Sequence, residues 1–393
     1  MEQRRNGRFG KRLAPVFALL LAVMISNLAW AQQTKQTNKT PVNVSNAAAQ
    51  VDSAIPASSV KNLANIRVQS SLVEAPVTVM DRTGEFIQNL SKGDFRVLDN
   101  GVLQRIARFG LATAPVAVVI VVQTNQAVAP LLDQVRPLGS LFSDLLLGKQ
   151  GQAAVICFDS KIRVAQNFTS SPAVLDQTLR HITDEGTTAR LNDALARAIL
   201  LLANRPAAER RVIIVFSEGL DRGSETTKEE IVRAATGAGV AIYGLQLEPI
   251  ATLLKNPEPP PEPDVLDDNL ARPGPPGTPQ TPGTLQHYYN VPNNISALPL
   301  LSGVANVISS ASGGNLLKLY AEFTGGAAYS HWKGNQLQKQ LTRVALEVNS
   351  QYMLAYVPTT LNDEGFHRLQ IKVLQPDLKV KSRAGYFYKM KKK

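Results

Sequence analysis

The side chains best suited to chemistry are few in this chain, and their spacing assembles none of the common catalytic sets. Its four histidines, His181, His287, His331 and His367, lie far apart. None has the His-x-x-x-His spacing that would set two imidazoles on one helix face around a metal. The single cysteine, Cys157, sits in the apolar run 153–158, where nothing activates a thiolate, so it reads as core; alone, it excludes an intrachain disulfide. Ser217 follows an apolar run as a nucleophile would, but Val215 stands where a nucleophile elbow needs its first glycine. There is no phosphate-binding loop of the Gly-x-x-x-x-Gly-Lys type. Gly237-Ala238-Gly239 follows a helical pattern and precedes a strand, the reverse of a dinucleotide fingerprint. Carboxylates are plentiful, but nothing in their order pairs two into an acid/base dyad. These absences point to a binding protein that needs no cofactor, with a hydrolase of unfamiliar design as the alternative.

The elements that would position a binding surface are easier to read. Residues 116–122, Val-Ala-Val-Val-Ile-Val-Val, are apolar on both faces, as in a central strand covered by helices on both sides. A helical stretch is expected from Val128 to Leu147, followed by strands near 153–158 and 163–168. Helices near 173–182 and 190–204 come next, the second with Leu191, Leu195, Ile199 and Leu202 on one face. Strands 212–216 and 240–247 flank a helix near 226–237. This alternation predicts a doubly wound, mostly parallel α/β sheet. Residues 316–323 read as a helix stopped by Gly325-Gly326, followed by a short strand at 327–329 and a helix over 336–348.

Strand signals also lie outside this core. Residues 73–80 form a β-branched run ending at Asp81-Arg82-Thr83-Gly84. Residues 95–98 alternate up to Asp99-Asn100-Gly101, a hairpin turn, from which 102–109 returns as the partner strand. Residues 351–357, 367–373 and 378–386 read as three more strands. The early unit is too small to be stable alone and needs other strands to pack on.

Composition sets the remaining boundaries. With 393 residues, 44% hydrophobic and 19% charged, the chain is globular and long enough for two domains. Arg4, Arg5, Arg8, Lys11 and Arg12 precede a 16-residue apolar run, Leu13 to Leu28, and Ala29-Trp30-Ala31 offers a cleavage site. Residues 1–31 thus read as a cleaved secretory signal peptide, implying a secreted or periplasmic protein with no membrane span after cleavage. An uncleaved anchor is the alternative, although a span needs about 20 residues. Cleavage lowers the net charge from +11 to +7. Residues 32–65 read as a flexible leader. Ten of the 24 prolines lie between Asn256 and Gly283, marking 253–285 as a Pro-rich insertion or linker. The basic tail 388–393 reads as a solvated terminus, and no nucleic-acid partner is expected.

Three blocks of residues resemble a known family. The first is Val77 to Gly84 with Leu90, Asp94-Phe95, Val97, Asn100-Gly101 and Gln104. The second is Leu191-Asn192-Asp193-Ala194-Leu195 with Val212 to Gly219. The third is Thr324-Gly325-Gly326, then Gln351 to Pro358, then Arg383-Ala384-Gly385-Tyr386. Together they resemble the von Willebrand factor A-related proteins of the acidobacterial type. The resemblance implies a Rossmann-like α/β domain over 115–250 and 297–350. It also implies that an N-terminal β module, 66–111, pairs with C-terminal strands, 351–387, in a β-sandwich-like module.

It further implies where an ion would sit. Many A domains hold Mg²⁺ with Asp-x-Ser-x-Ser after the first strand, a Thr from a second loop and an Asp from a third. Here Gln123 stands at the Asp position, Asn125 and Ala127 at the two Ser positions, and Glu218 at the third-loop Asp. The Thr position falls on Ala189, with Thr188 one residue away. Such a set holds no metal well, because neutral amides do not offset the dehydration of Mg²⁺. Gln123, Asn125, Thr188, Glu218 and Asp221 are therefore the expected contact surface for an unidentified protein partner, in adhesion or envelope assembly. Mg²⁺-dependent adhesion through a divergent site is the alternative, as is a purely local role for these residues in capping helices and loops.

Overall fold

Residues 72–247, 315–329, 336–359 and 365–388 are described by the structure, a computed structural model. The expected signal peptide, leader and Pro-rich insertion, the basic tail beyond Tyr388, and His287 and His331 lie outside the described residues.

The central sheet grows from β5 (Val116–Gln123), every residue of which is buried. It pairs in parallel with β6 (Gln152–Phe158) on one side and β8 (Arg210–Ser217) on the other. Beyond β8 lie β9 (Val240–Gln246) and the two-residue β10 (Ala328–Tyr329), both parallel, and beyond β6 lies β7 (Ile162–Thr169), antiparallel. Successive β5 residues point to opposite faces. Val116, Val118, Ile120 and Val122 pack on one helical layer, formed by residues 129–147, α1 (Pro172–Arg180) and α5 (Gln336–Asn349). Ala117, Val119 and Val121 pack on the other, formed by α2 (Leu191–Ala203), α3 (Lys228–Ala238) and α4 (Leu316–Thr324). The helix ends follow local chemistry. Ser171 caps α1, Thr227 and Glu230 make a capping box on α3, and Gly239 and Gly325 end α3 and α4 in left-handed conformations.

The expected single helix over 128–147 is instead a broken series of short 3₁₀, α and π turns. Pro130 and Pro137 each remove a backbone donor, and Gly139 lies where a Cβ would meet the Asp176 backbone at 2.4 Å. The apolar spacing is obeyed, but an unbroken α-helix cannot be.

The remaining strands form two four-stranded sheets that face each other. One has the order β13 (Lys379–Ser382), β1 (Val73–Met80), β11 (Tyr352–Tyr356), β4 (Ile106–Leu111). The other runs β14 (Gly385–Tyr388), β12 (Gly365–Val373), β2 (Phe95–Asp99), β3 (Val102–Gln104). Between them lies a core of Val77, Val79, Phe95, Val97, Tyr352, Leu354, Ile371 and others. Two sequence expectations need correction here. The return strand 102–109 is two strands: β3 pairs with β2 through the Asn100-Gly101 turn, and β4 leaves for the opposite sheet. The run 378–386 likewise splits into β13 and β14, one in each sheet. In both cases the chain crosses the sandwich within a few residues, so a continuous apolar pattern belongs to two surfaces. Among the described residues no helix is long and apolar enough to cross a membrane.

Candidate functional site

The carboxyl ends of β5 and β8 lie side by side, so the residues following each strand meet at one rim of the sheet. Gln123, the last residue of β5, is fully buried and uses both ends of its amide. Its Oε1 accepts from the Ser217 hydroxyl at 2.7 Å and from the Glu218 backbone N–H at 3.0 Å. Its Nε2 donates to Asn125 Oδ1 at 2.9 Å and to Glu218 Oε1 at 3.0 Å. Arg222 then donates from Nη1 to the same Glu218 oxygen at 2.9 Å, forming an ion pair in which the arginine is half exposed and the glutamate buried. The Arg222 backbone N–H is tied to the Ala189 carbonyl at 2.8 Å, which fixes where its side chain starts.

Three of the five sequence-chosen residues, Gln123, Asn125 and Glu218, thus form one network. The other two stand outside it. Thr188 is exposed on its loop, and the neighbouring Ala189 is buried with no side-chain oxygen to offer. Asp221 serves α2: its Oδ1 accepts from the Asn192 backbone N–H at 2.9 Å and from the Ser224 hydroxyl at 2.6 Å. That is a helix cap supplied from another loop. Arg222 is the residue that sequence reasoning missed. Its signal was its position four residues after Glu218, within reach across a single loop.

A second cluster supports the rim. Asp159, buried after β6, takes Arg163 Nη2 on Oδ2 at 2.7 Å and the Thr124 hydroxyl at 3.2 Å. Arg163 also pairs with Glu185 at 3.3 Å, and the Glu185 N–H donates to the Thr124 carbonyl at 2.7 Å, which fastens the 183–188 loop to the end of β5.

Whether these residues suit a divalent cation follows from the donor set. Mg²⁺ needs an octahedron of hard oxygens, with at least one carboxylate to offset dehydration. The only carboxylate in the rim network already accepts an amide N–H and a guanidinium N–H on one oxygen. Asn125 Oδ1 is likewise taken up by Gln123. N–H donors thus occupy Glu218 Oε1 and Asn125 Oδ1, and the network brings one carboxylate to the rim, a donor set poorly suited to Mg²⁺. Among the described residues no group of three or more His, Cys, Asp or Glu side chains is arranged to hold one. What the arrangement does offer is a rigid, polar surface whose exposed member is the cationic head of Arg222.

Comparison with solved structures gives several alignments. One is to a conserved hypothetical protein, BatB, from Bacteroides thetaiotaomicron (20% identity, 33% of this chain and 66% of that one, TM-score 0.30). Another is to an aerotolerance-related membrane protein from Bacteroides fragilis carrying multiple mutations to serines (14% identity, 58% and 98%, TM-score 0.36). A third is to the vWF domain of the type V pili tip protein Mfa5 from Porphyromonas gingivalis (23% identity, 28% and 39%, TM-score 0.25). The chain thus spans just under two thirds of the first of these and well under half of the third. No curated protein sequence matches it. A family profile described as the von Willebrand factor type A domain matches residues 118–220. That stretch runs from within β5 past Glu218, so it contains the Gln123–Asn125–Glu218 network, and it is this part of the chain, residues 118–220, that matches a von Willebrand factor type A domain.

Proposed function

We propose that this is an exported, non-catalytic binding protein that engages a protein partner through the rim loops of its A domain without a metal ion, in adhesion or envelope assembly. The observation that carries this reading is the amide–carboxylate–guanidinium network. Gln123 bridges Asn125 and Glu218, and Arg222 supplies the positive charge that an ion would otherwise bring. Ligands of open α/β sheets bind outside the carboxyl ends of the strands, where this network sits. Export rests on the arginine-rich start, the 16-residue apolar run and Ala29-Trp30-Ala31. Type A domains are for the most part interaction modules, and the spacing of the histidines and the surroundings of Ser217 and Cys157 in the sequence match no common catalytic motif.

Thermal unfolding in a titration of Mg²⁺ and of Mn²⁺ tests the metal-free part. Neither ion is expected to raise the melting temperature, whereas a saturable rise, the mass-action signature of binding to the native state, would overturn it. Cross-linking to a partner tests the rest. Substituting Asn125 and Glu218 by Ala should lower the yield, and an unchanged yield removes these loops from the interface.

A further inference from the structure

At the other end of the parallel sheet, where β8 and β9 begin, a cavity of about 200 Å³ lies between the A domain and the sandwich. Three arginines line it, Arg210, Arg211 and Arg383. Their surroundings differ. Arg210 is satisfied by backbone carbonyls, donating from Nε to Ala114 at 2.8 Å and from Nη1 to Val348. Arg211 donates to the carbonyls of Ala238 at 2.8 Å and Arg205 at 2.9 Å, and its Nε is buried with no partner.

Arg383, between β13 and β14, is 7% exposed. Its guanidinium lies over the Tyr386 ring, 5.6 Å from the centroid, and makes one long hydrogen bond, Nη1 to the Thr236 carbonyl at 3.4 Å. Its Nε is buried without a partner. No carboxylate forms an ion pair with Arg383 among the described residues. Of the two acids in the cavity wall, Glu209 is gripped by both nitrogens of the Arg205 fork, at 2.7 and 2.8 Å, and Glu74 acts on Arg211 and Arg383 only at longer range. Burial pushes the Arg383 guanidinium below its ordinary value, so the site strains against holding a bare cation.

A buried cation is ordinarily paired, and a buried N–H left without an acceptor calls for a bound water or ion. Here two arginines that line one cavity each carry such an N–H group. Its other walls include apolar side chains such as Pro76 and Met353. A guanidinium fork matches an oxyanion in charge and geometry, and the apolar wall suits a short carbon skeleton. We propose that this cavity binds a small organic oxyanion, a carboxylate or phosphate carried on a short apolar body, seated on Arg383 and Arg211. The site lies at the end of the sheet opposite the rim and does not depend on what the rim loops bind.

Calorimetry and thermal unfolding of the full chain test this, with succinate and inorganic phosphate as probes and chloride as the control at equal ionic strength. The expected result is saturable binding of one anion per chain by at least one probe, with a matching rise in melting temperature; the responding probe tells carboxylate from phosphate. Arg383→Gln and Arg211→Gln should each weaken that binding at least tenfold, while Glu218→Gln leaves it unchanged. Because Arg383 is buried and its variant risks misfolding, Arg211→Gln carries the test by itself. Binding of neither anion beyond the chloride control, or binding undiminished in Arg211→Gln, would overturn the proposal.

Discussion

Asp99 and Gln123 show how differently two buried polar residues are maintained. Asp99 is wholly enclosed in the sandwich, where Tyr386 donates to it at 2.7 Å, Tyr356 at 2.8 Å, and His367 Nδ1 lies at 3.0 Å. Burial alone pushes its carboxyl up, but the hydrogen bonds from His367, Tyr386 and Tyr356 outweigh burial and hold it below the ordinary value. A carboxyl depressed in the folded state contributes stability above its unfolded pKa of about 3.9, and that contribution is lost as pH falls through the lower, folded value. The wild-type chain should therefore lose stability to urea on acidification below about pH 4 more steeply than Asp99→Asn. Equal slopes for the two would show that the network does not favour the ionised form. Gln123 carries no charge to titrate. Its four hydrogen bonds tie the ends of β5 and β8 together with no charge of its own.

Element ends explain why only part of the expected contact surface assembles. The first turn of α2 is clamped from the loop after β8. Asp221 takes the Asn192 N–H, and Asp193 in return accepts from the Thr226 N–H at 2.9 Å and its hydroxyl at 2.7 Å. The loop that carries Glu218 and Arg222 is thus stitched to a helix as well as to β5. Replacing Asp221 by Ala removes one cap and should cost about 1 kcal/mol in global stability. Amide exchange at the start of α2 should quicken, and partner cross-linking should stay at its wild-type yield. Reduced cross-linking from a variant that is otherwise as stable as wild type would return Asp221 to the binding surface.

The whole molecule interleaves its two modules. β1 to β4 come before the A domain and β11 to β14 after it, and each sheet of the sandwich takes strands from both ends. β13 pairs with β1, and β14 with β12, so the last strands complete both sheets. A chain ending at Val373 should leave edges open in both and expose the core around Val79 and Tyr386's neighbours. Limited proteolysis of that chain should cut within 73–111 early while 116–247 persists, because β5 and its helical layers form a separate core. Equal resistance of the two regions would mean that the sandwich stands without its final strands.

Much of this was legible in residue order. The apolar run 116–122 announces a central strand because only a strand covered on both faces tolerates side chains that are apolar throughout. Asn100-Gly101 announces a hairpin because both residues take positive φ, 49° and 81° in the structure. Gln123, Asn125 and Glu218 were identifiable as rim residues because strand ends in such a sheet fall at one edge. Other features depend on contacts between residues far apart in the chain, which no local pattern encodes. The split of 102–109 and of 378–386 depends on which sheet each half meets. Arg222 reaches Glu218 because its backbone is bonded to Ala189. Arg211 and Arg383, far apart in the sequence, share a cavity only because the sandwich closes against the bottom of the sheet. Hydrophobic period and turn chemistry are local and survive in the sequence; hydrogen-bond partners and the neighbours of a buried charge exist only once the chain has folded.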